Sequence, residues 1–143
     1  MEQAVAALFD RYERLFAQAL AGEADMEDVA ALYASDMIAA APAGVMTARN
    51  DEALKQAMAQ GYERYRAQGT RSMRVRQLRI TQIDALHCLA HVGWRATYAR
   101  SDLEETAIDF DVHYLVQLRD GEAKVFGWIT GDEEAELKRH GVI

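Results

Sequence analysis

The sequence predicts an α+β domain: a strongly bent antiparallel sheet closing as a conical barrel, capped by three N-terminal helices and followed by a short C-terminal helix. Three observations carry this. From Leu86 to Thr130, apolar and polar residues alternate with a period of two, as in strands with one covered face. Before Thr70, three segments carry apolar stripes at helical spacing. The segment after Thr70 changes parity near Gln77, which calls for a β-bulge and hence a bend.

The first helix runs from about Glu2 to Ala21. Val5, Leu8, Phe9, Tyr12, Phe16, Ala19 and Leu20 form its stripe. Gly22 can end it in the left-handed conformation. A short second helix follows Asp25, which can cap it; Val29, Leu32 and Tyr33 give it a buried side. Ser35-Asp36 leads into a small hairpin, MIAAAP and VMTAR, turning at Ala43-Gly44. Asn50 is expected to cap the third helix, whose stripe is Leu54, Ala57, Met58, Gly61, Tyr62 and Tyr65. Gly69 ends it. Thr70–Asp84 is the next strand, with Met73 and Val75 in one parity and Leu78 and Ile80 in the other.

Three antiparallel strands come next. On the first, Leu86, Cys88, Ala90, Val92, Trp94, Ala96 and Tyr98 share the apolar face. On the second, Ile108, Phe110, Val112, Tyr114, Val116 and Leu118 do. The third is the return strand ending in KVFGWIT. In the last helix, GDEEAELKRHGV, acids precede bases, which suits the helix dipole.

At 143 residues the chain is read as one domain spanning 1–143, long enough for a real core. A net charge of -7 argues against a general nucleic-acid binder and against an anionic membrane surface. No apolar run is long enough to span a bilayer, and the charged N-terminus does not read as a signal peptide. A cytoplasmic location is the simplest expectation. Cys88 is the single cysteine, so no internal disulfide forms, and its apolar parity reads as core.

The mouth of a cone is a natural small-molecule site. Apolar parity and the helical stripes nominate Phe16, Tyr33, Met58, Tyr62 and Val92 as its lining, with Trp94, Phe110, Val112, Tyr114 and Trp128. The expected partner is a small, largely apolar molecule. No cofactor is implied.

The Leu32-Tyr33-Ala34-Ser35-Asp36 exit, the Phe110-to-Val116 strand and the Gly121-to-Trp128 return strand resemble the nuclear-transport-factor-2-like superfamily, in particular its SnoaL-like branch. The resemblance implies a single cystatin-like α+β roll with a pocket between helices and concave sheet, and homodimers through the outer sheet face. It also implies diverse roles: isomerases, cyclases, dehydratases, binding modules and non-catalytic scaffolds. The steroid-isomerase branch uses a helical tyrosine, a carboxylate before a proline, and an acid on a strand. Tyr12 stands at the first position. The proline motif reads Ala39-Ala40-Ala41-Pro42, and the strand acid falls near Tyr114, so two of three parts are missing. Tyr12 and Tyr114 remain possible donors to a ligand carbonyl, and Asp36 is the nearest surviving acid. Each also has a plain reading: a core aromatic or a turn residue.

With a turn near Asp102, His91 faces His113 and Arg95 faces Asp109, beside Asp111. Two histidines and a carboxylate are metal-ligand types. Their polar parity puts them outside the cone, where they read as cross-strand pairs, and no metal site is expected. The run Arg64, Arg66, Arg71, Arg74, Arg76 and Arg79 reads as a charged strand edge that discourages edge pairing.

Overall fold

The alternating stretch folds into three long strands around which everything else packs. A computed structural model describes residues 1–143. In chain order the elements are α1 (Glu2–Leu20), α2 (Met26–Ala30), β1 (Tyr33–Ala41), β2 (Gly44–Arg49) and α3 (Glu52–Ala67). Then come β3 (Thr70–Gln82), β4 (His87–Arg100), β5 (Leu103–Arg119), β6 (Glu122–Thr130) and α4 (Glu133–Arg139). The six strands make one curled, unclosed sheet in the order β2-β1-β6-β5-β4-β3. The α+β class is as expected. One ladder differs: β1 joins β6 in parallel, and the other pairs are antiparallel.

Register on the central hairpin follows the pattern in the sequence. His91 pairs with His113 and Arg95 with Asp109, because the turn falls at Ser101-Asp102. The even-numbered side chains from Cys88 to Tyr98 on β4, and from Ile108 to Val116 on β5, are buried. Val5, Leu8 and Phe9 of α1 pack against them, each 0–1% exposed. Each such side chain contributes about 1.5–3 kcal/mol by leaving water.

Two of the sheet's register shifts set which side chains reach its concave face. On β3, Val75 pairs with Trp94 and Gln77 with Gly93, which leaves Arg76 as the extra residue. That bulge brings Met73 and Val75, then Leu78 and Ile80, to one face. The Glu13 carboxylate of α1 accepts the Val75 N–H there, so the helix is tied to the bend. The second bulge lies on β6, where Val116 pairs with Val125 but Leu115 with Gly127. Phe126 is the extra residue. Ala123 and Val125 are therefore buried with odd parity before it, whereas Trp128 and Thr130 reach the same concave side with even parity after it.

Local chemistry fixes the element ends. Asp25 caps α2 by accepting the Glu27 N–H at 2.8 Å. Asp51, not Asn50, caps α3, accepting from the Leu54 N–H at 3.0 Å. Asn50 instead donates to the Ala30 and Tyr33 carbonyls, tying α2 to β1. Tyr33 is the first residue of β1 and not part of a helix. Leu86 precedes its strand and is 50% exposed, because the turn has not yet committed its parity. Asp120-Gly121 joins β5 to β6 with φ of 53° and 76°, the twist a two-residue hairpin requires. Gly69 has a φ of +87°, and a Cβ there would lie 2.8 Å from the Ala99 carbonyl oxygen. No helix is long and apolar enough to cross a membrane.

Candidate functional site

The concave face of the sheet, α1, α3 and the start of α4 enclose a cavity of about 500 Å³. Its position follows from the helices. The N-terminal half of α1 sinks into the core, and its next turns present Tyr12 and Phe16 to the cavity. Helix α3 has no fully buried residue. Its stripe, Met58, Gly61, Tyr62 and Tyr65, lines the cavity, with Tyr62 and Tyr65 set edge-on against Phe16. Asp132 caps α4, which places Glu133 and Leu137 on the wall.

The wall is aromatic. All 6 tyrosines and both tryptophans of the chain line it, with Phe16 and Phe110. On the floor three phenols and an indole form two hydrogen-bonded pairs. The Tyr33 hydroxyl donates to Tyr12 Oη at 2.8 Å, and Trp94 Nε1 donates to Tyr114 Oη at 3.0 Å. The Tyr12 and Tyr114 rings meet edge to face between the pairs, 5.6 Å apart at their centroids. Tyr12 accepts from Tyr33, which leaves its own proton free to donate. Burial pushes the phenols of Tyr12, Tyr33 and Tyr114 above their ordinary value, and that of Tyr98 up to about 12. At neutral pH these hydroxyls are donors, not phenolates.

Glu133 is the one carboxylate on the wall and Arg64 the one cation. Burial raises the Glu133 pKa. Glu133 takes part in none of the ion pairs of the molecule, which gather on the outer surface and on the far side of α4.

Residues 2–133 match the family model described as NTF2-like protein (DUF6841). The chain belongs to this NTF2-like family. Solved structures with a similar fold include an NTF2-like protein with a cystatin-like fold from Novosphingobium aromaticivorans, at TM-score 0.69 and 15% identity over 96% of this chain and 86% of that one. A ketosteroid isomerase-like protein from Erwinia carotovora atroseptica aligns at TM-score 0.62 and 16% identity, over 90% and 93%. A protein of unknown function from Nostoc punctiforme aligns at 0.63 and 16%, over 91% and 89%. At these identities the likeness concerns the fold. No curated protein sequence matches the chain.

Within this NTF2-like domain the nominated residues separate cleanly. Phe16, Tyr33, Met58, Tyr62, Trp94, Phe110, Val112, Tyr114 and Trp128 all line the cavity, and Tyr12 joins them. Val92 does not: it is 0% exposed and packs in the core behind the wall. Asp36 does not either. It stands on β1 with its side chain 78% exposed, 4.0 Å from Arg49, away from the cavity. His91 and His113 stack at 4.4 Å between ring centroids on the outer face, with Asp111 3.2 Å from His91. Arg95 and Arg76 share Asp109 nearby.

Sequence reading missed Glu133, Arg64, Tyr65 and Tyr98 on this wall. Tyr65 and Tyr98 carried a signal, since both sit on apolar stripes already drawn. Glu133 carried none, because in sequence it is one of several acids opening α4.

Proposed function

We propose that this NTF2-like domain binds a small, largely apolar molecule in the cavity, held by a hydrogen bond from the Tyr12 hydroxyl. The observation that supports this most is the wall itself: about 500 Å³ of space, ringed by aromatic side chains, with 14 of its 19 residues hydrophobic. A phenol already accepting from a neighbour, as Tyr12 does from Tyr33, is polarised toward donating, and a carbonyl or hydroxyl oxygen is its complement.

Gly61 provides the test. It lines the cavity from α3, and a Cβ there would meet only Arg64, at 3.9 Å. Gly61→Leu therefore fills space without a backbone clash and favours the helix by up to about 1 kcal/mol. Titration with Nile red, an uncharged aromatic dye, is expected to saturate at one site. The variant should bind the dye at least about tenfold more weakly, ~1.4 kcal/mol, while melting no lower. Unchanged dye affinity in a folded variant would place the binding elsewhere.

A second reading has a specific observation behind it. Glu133 and Tyr12 border the same cavity, a half-buried carboxylate and a phenol donor. Such a pair suits isomerase, cyclase or dehydratase chemistry, with the carboxylate moving a proton and the phenol stabilising negative charge on oxygen. Outside the cavity, Ile38, Val45 and Ile129 stand 44%, 70% and 49% exposed on neighbouring strands. This supports pairing of two copies of the chain through the outer sheet face.

A further inference from the structure

We infer that the molecule this cavity takes carries a positively charged nitrogen, an amine or quaternary ammonium, seated between Glu133 and the aromatic rings of the wall. The inference rests on the reading of the cavity as a small-molecule site and adds the chemical class of the ligand.

Three observations converge. First, the aromatic content of the chain is concentrated here: every tyrosine and tryptophan is on this wall, and only two phenylalanines lie elsewhere. Aromatic ring faces carry negative electrostatic potential and attract cations, most strongly when water is excluded. A wall meant only to be greasy has no need of tyrosine and tryptophan in place of leucine. Second, a single carboxylate, Glu133, is set into that wall. It is removed from water enough for burial to disfavour its charge, and no basic side chain of the protein neutralises it. A lone desolvated carboxylate is costly unless something of opposite charge arrives. Third, the competing cation is poorly placed. Arg64 is exposed at the rim, and its guanidinium forms no ion pair with Glu133. The unmet charge in the cavity is therefore negative, against rings that favour positive charge.

The geometry also divides the ligand. Tyr12, hydrogen-bonded to Tyr33, reaches the cavity from α1, whereas Glu133 reaches it from α4. An apolar body with an acceptor atom at one part and a cationic nitrogen at another matches both.

The test compares benzyltrimethylammonium with its uncharged carbon isostere, neopentylbenzene. The two have the same shape and differ in charge. Trp94 and Trp128, the only tryptophans, both line the cavity, so their fluorescence reports occupancy directly. The cation is expected to bind at least about tenfold more tightly than the isostere. Glu133→Gln should remove most of that preference and leave the isostere's affinity unchanged. Arg64→Gln should shift it the other way, strengthening the cation. Equal affinities for the two probes, or a preference that survives Glu133→Gln, would overturn the charge assignment while leaving the cavity as a binding site. Failure of both probes to perturb either tryptophan would overturn the cavity reading and this inference with it.

Discussion

Replacing Tyr12 by phenylalanine removes one oxygen and strands one donor. The Tyr33 hydroxyl, 2.8 Å away, loses its acceptor. Tyr33 is 6% exposed, so its hydroxyl does not reach bulk water easily. A buried donor without a partner costs about 1–3 kcal/mol. Tyr33 lines the cavity, so the lower half of that range applies, and Tyr12→Phe should cost about 1.5 kcal/mol. Tyr33→Phe removes the donor and strands nothing, at about 1 kcal/mol. In the double variant the Tyr33–Tyr12 bond is gone from both sides and nothing is stranded, which costs about 1 kcal/mol. The sum of the singles is about 2.5 kcal/mol, so the coupling is about 1.5 kcal/mol. Urea unfolding followed by tryptophan fluorescence and far-ultraviolet circular dichroism measures all three, with an unchanged denaturant slope as the two-state check. Strict additivity, or a Tyr12→Phe cost below about 0.5 kcal/mol, would show that the phenols are not linked as described.

Two further outcomes follow from the same geometry. Burial raises the Glu133 pKa, so the protonated form is the one the fold favours. Its contribution is fully present below the unfolded value and is lost as pH rises through the folded one. Glu133→Gln should therefore raise the melting temperature near pH 8 and lose that gain near pH 4; the phenols of Tyr12, Tyr65, Tyr98 and Tyr114 stay neutral across that range. Pairing through the outer sheet face predicts a light-scattering mass near twice the 16.0 kDa of one chain, and a monomer at micromolar concentration would remove that proposal.

How much of this was legible in the sequence depended on whether a local rule was allowed to run undisturbed. On β4 and β5 the period of two is unbroken from Cys88 to Val116, so parity alone gave the buried face and the His91–His113 register. On β3 the parity change announced its own bulge, since apolar residues stand on both sides of it. On β6 the bulge at Phe126 is silent. Ala123 and Val125 are small, Gly127 has no side chain to place, and an apolar residue occupies the extra position, so no polar residue marks the slip. Trp128 was nominated by even parity, which is correct only beyond that bulge. The ends of the cavity were less readable still. Glu133 reaches the wall because α4 folds back across the sheet, a tertiary event with no local pattern. Asp36 was nominated from family position, but its exposure on β1 is decided by the pairing with β2, where Asp36 faces Arg49. Val92 shows the converse limit: parity identifies the concave face, but it does not separate side chains at the cavity from those beneath α1.

Packing alone does not account for the composition of this wall. A tyrosine in a core surrenders the hydration of its hydroxyl, and a phenylalanine of nearly the same shape would surrender nothing. That cost is offset for Tyr12, Tyr33 and Tyr114, since Tyr33 bonds Tyr12 and Trp94 bonds Tyr114. Tyr62, Tyr65 and Tyr98 line the same space, and their hydroxyls bond no other group of the protein. Burial raises all three phenols, so they are partly desolvated while no protein group pairs with them. Glu133 repeats the pattern with a full charge. A domain selected only to fill its cone would replace these groups with leucine or phenylalanine and gain stability. The cone holds half-satisfied donors, one unpaired carboxylate and open volume together, on α1, α3, α4 and the sheet at once. Polar groups that lack a protein partner and converge from four separate elements on one cavity fit a site shaped around an occupant.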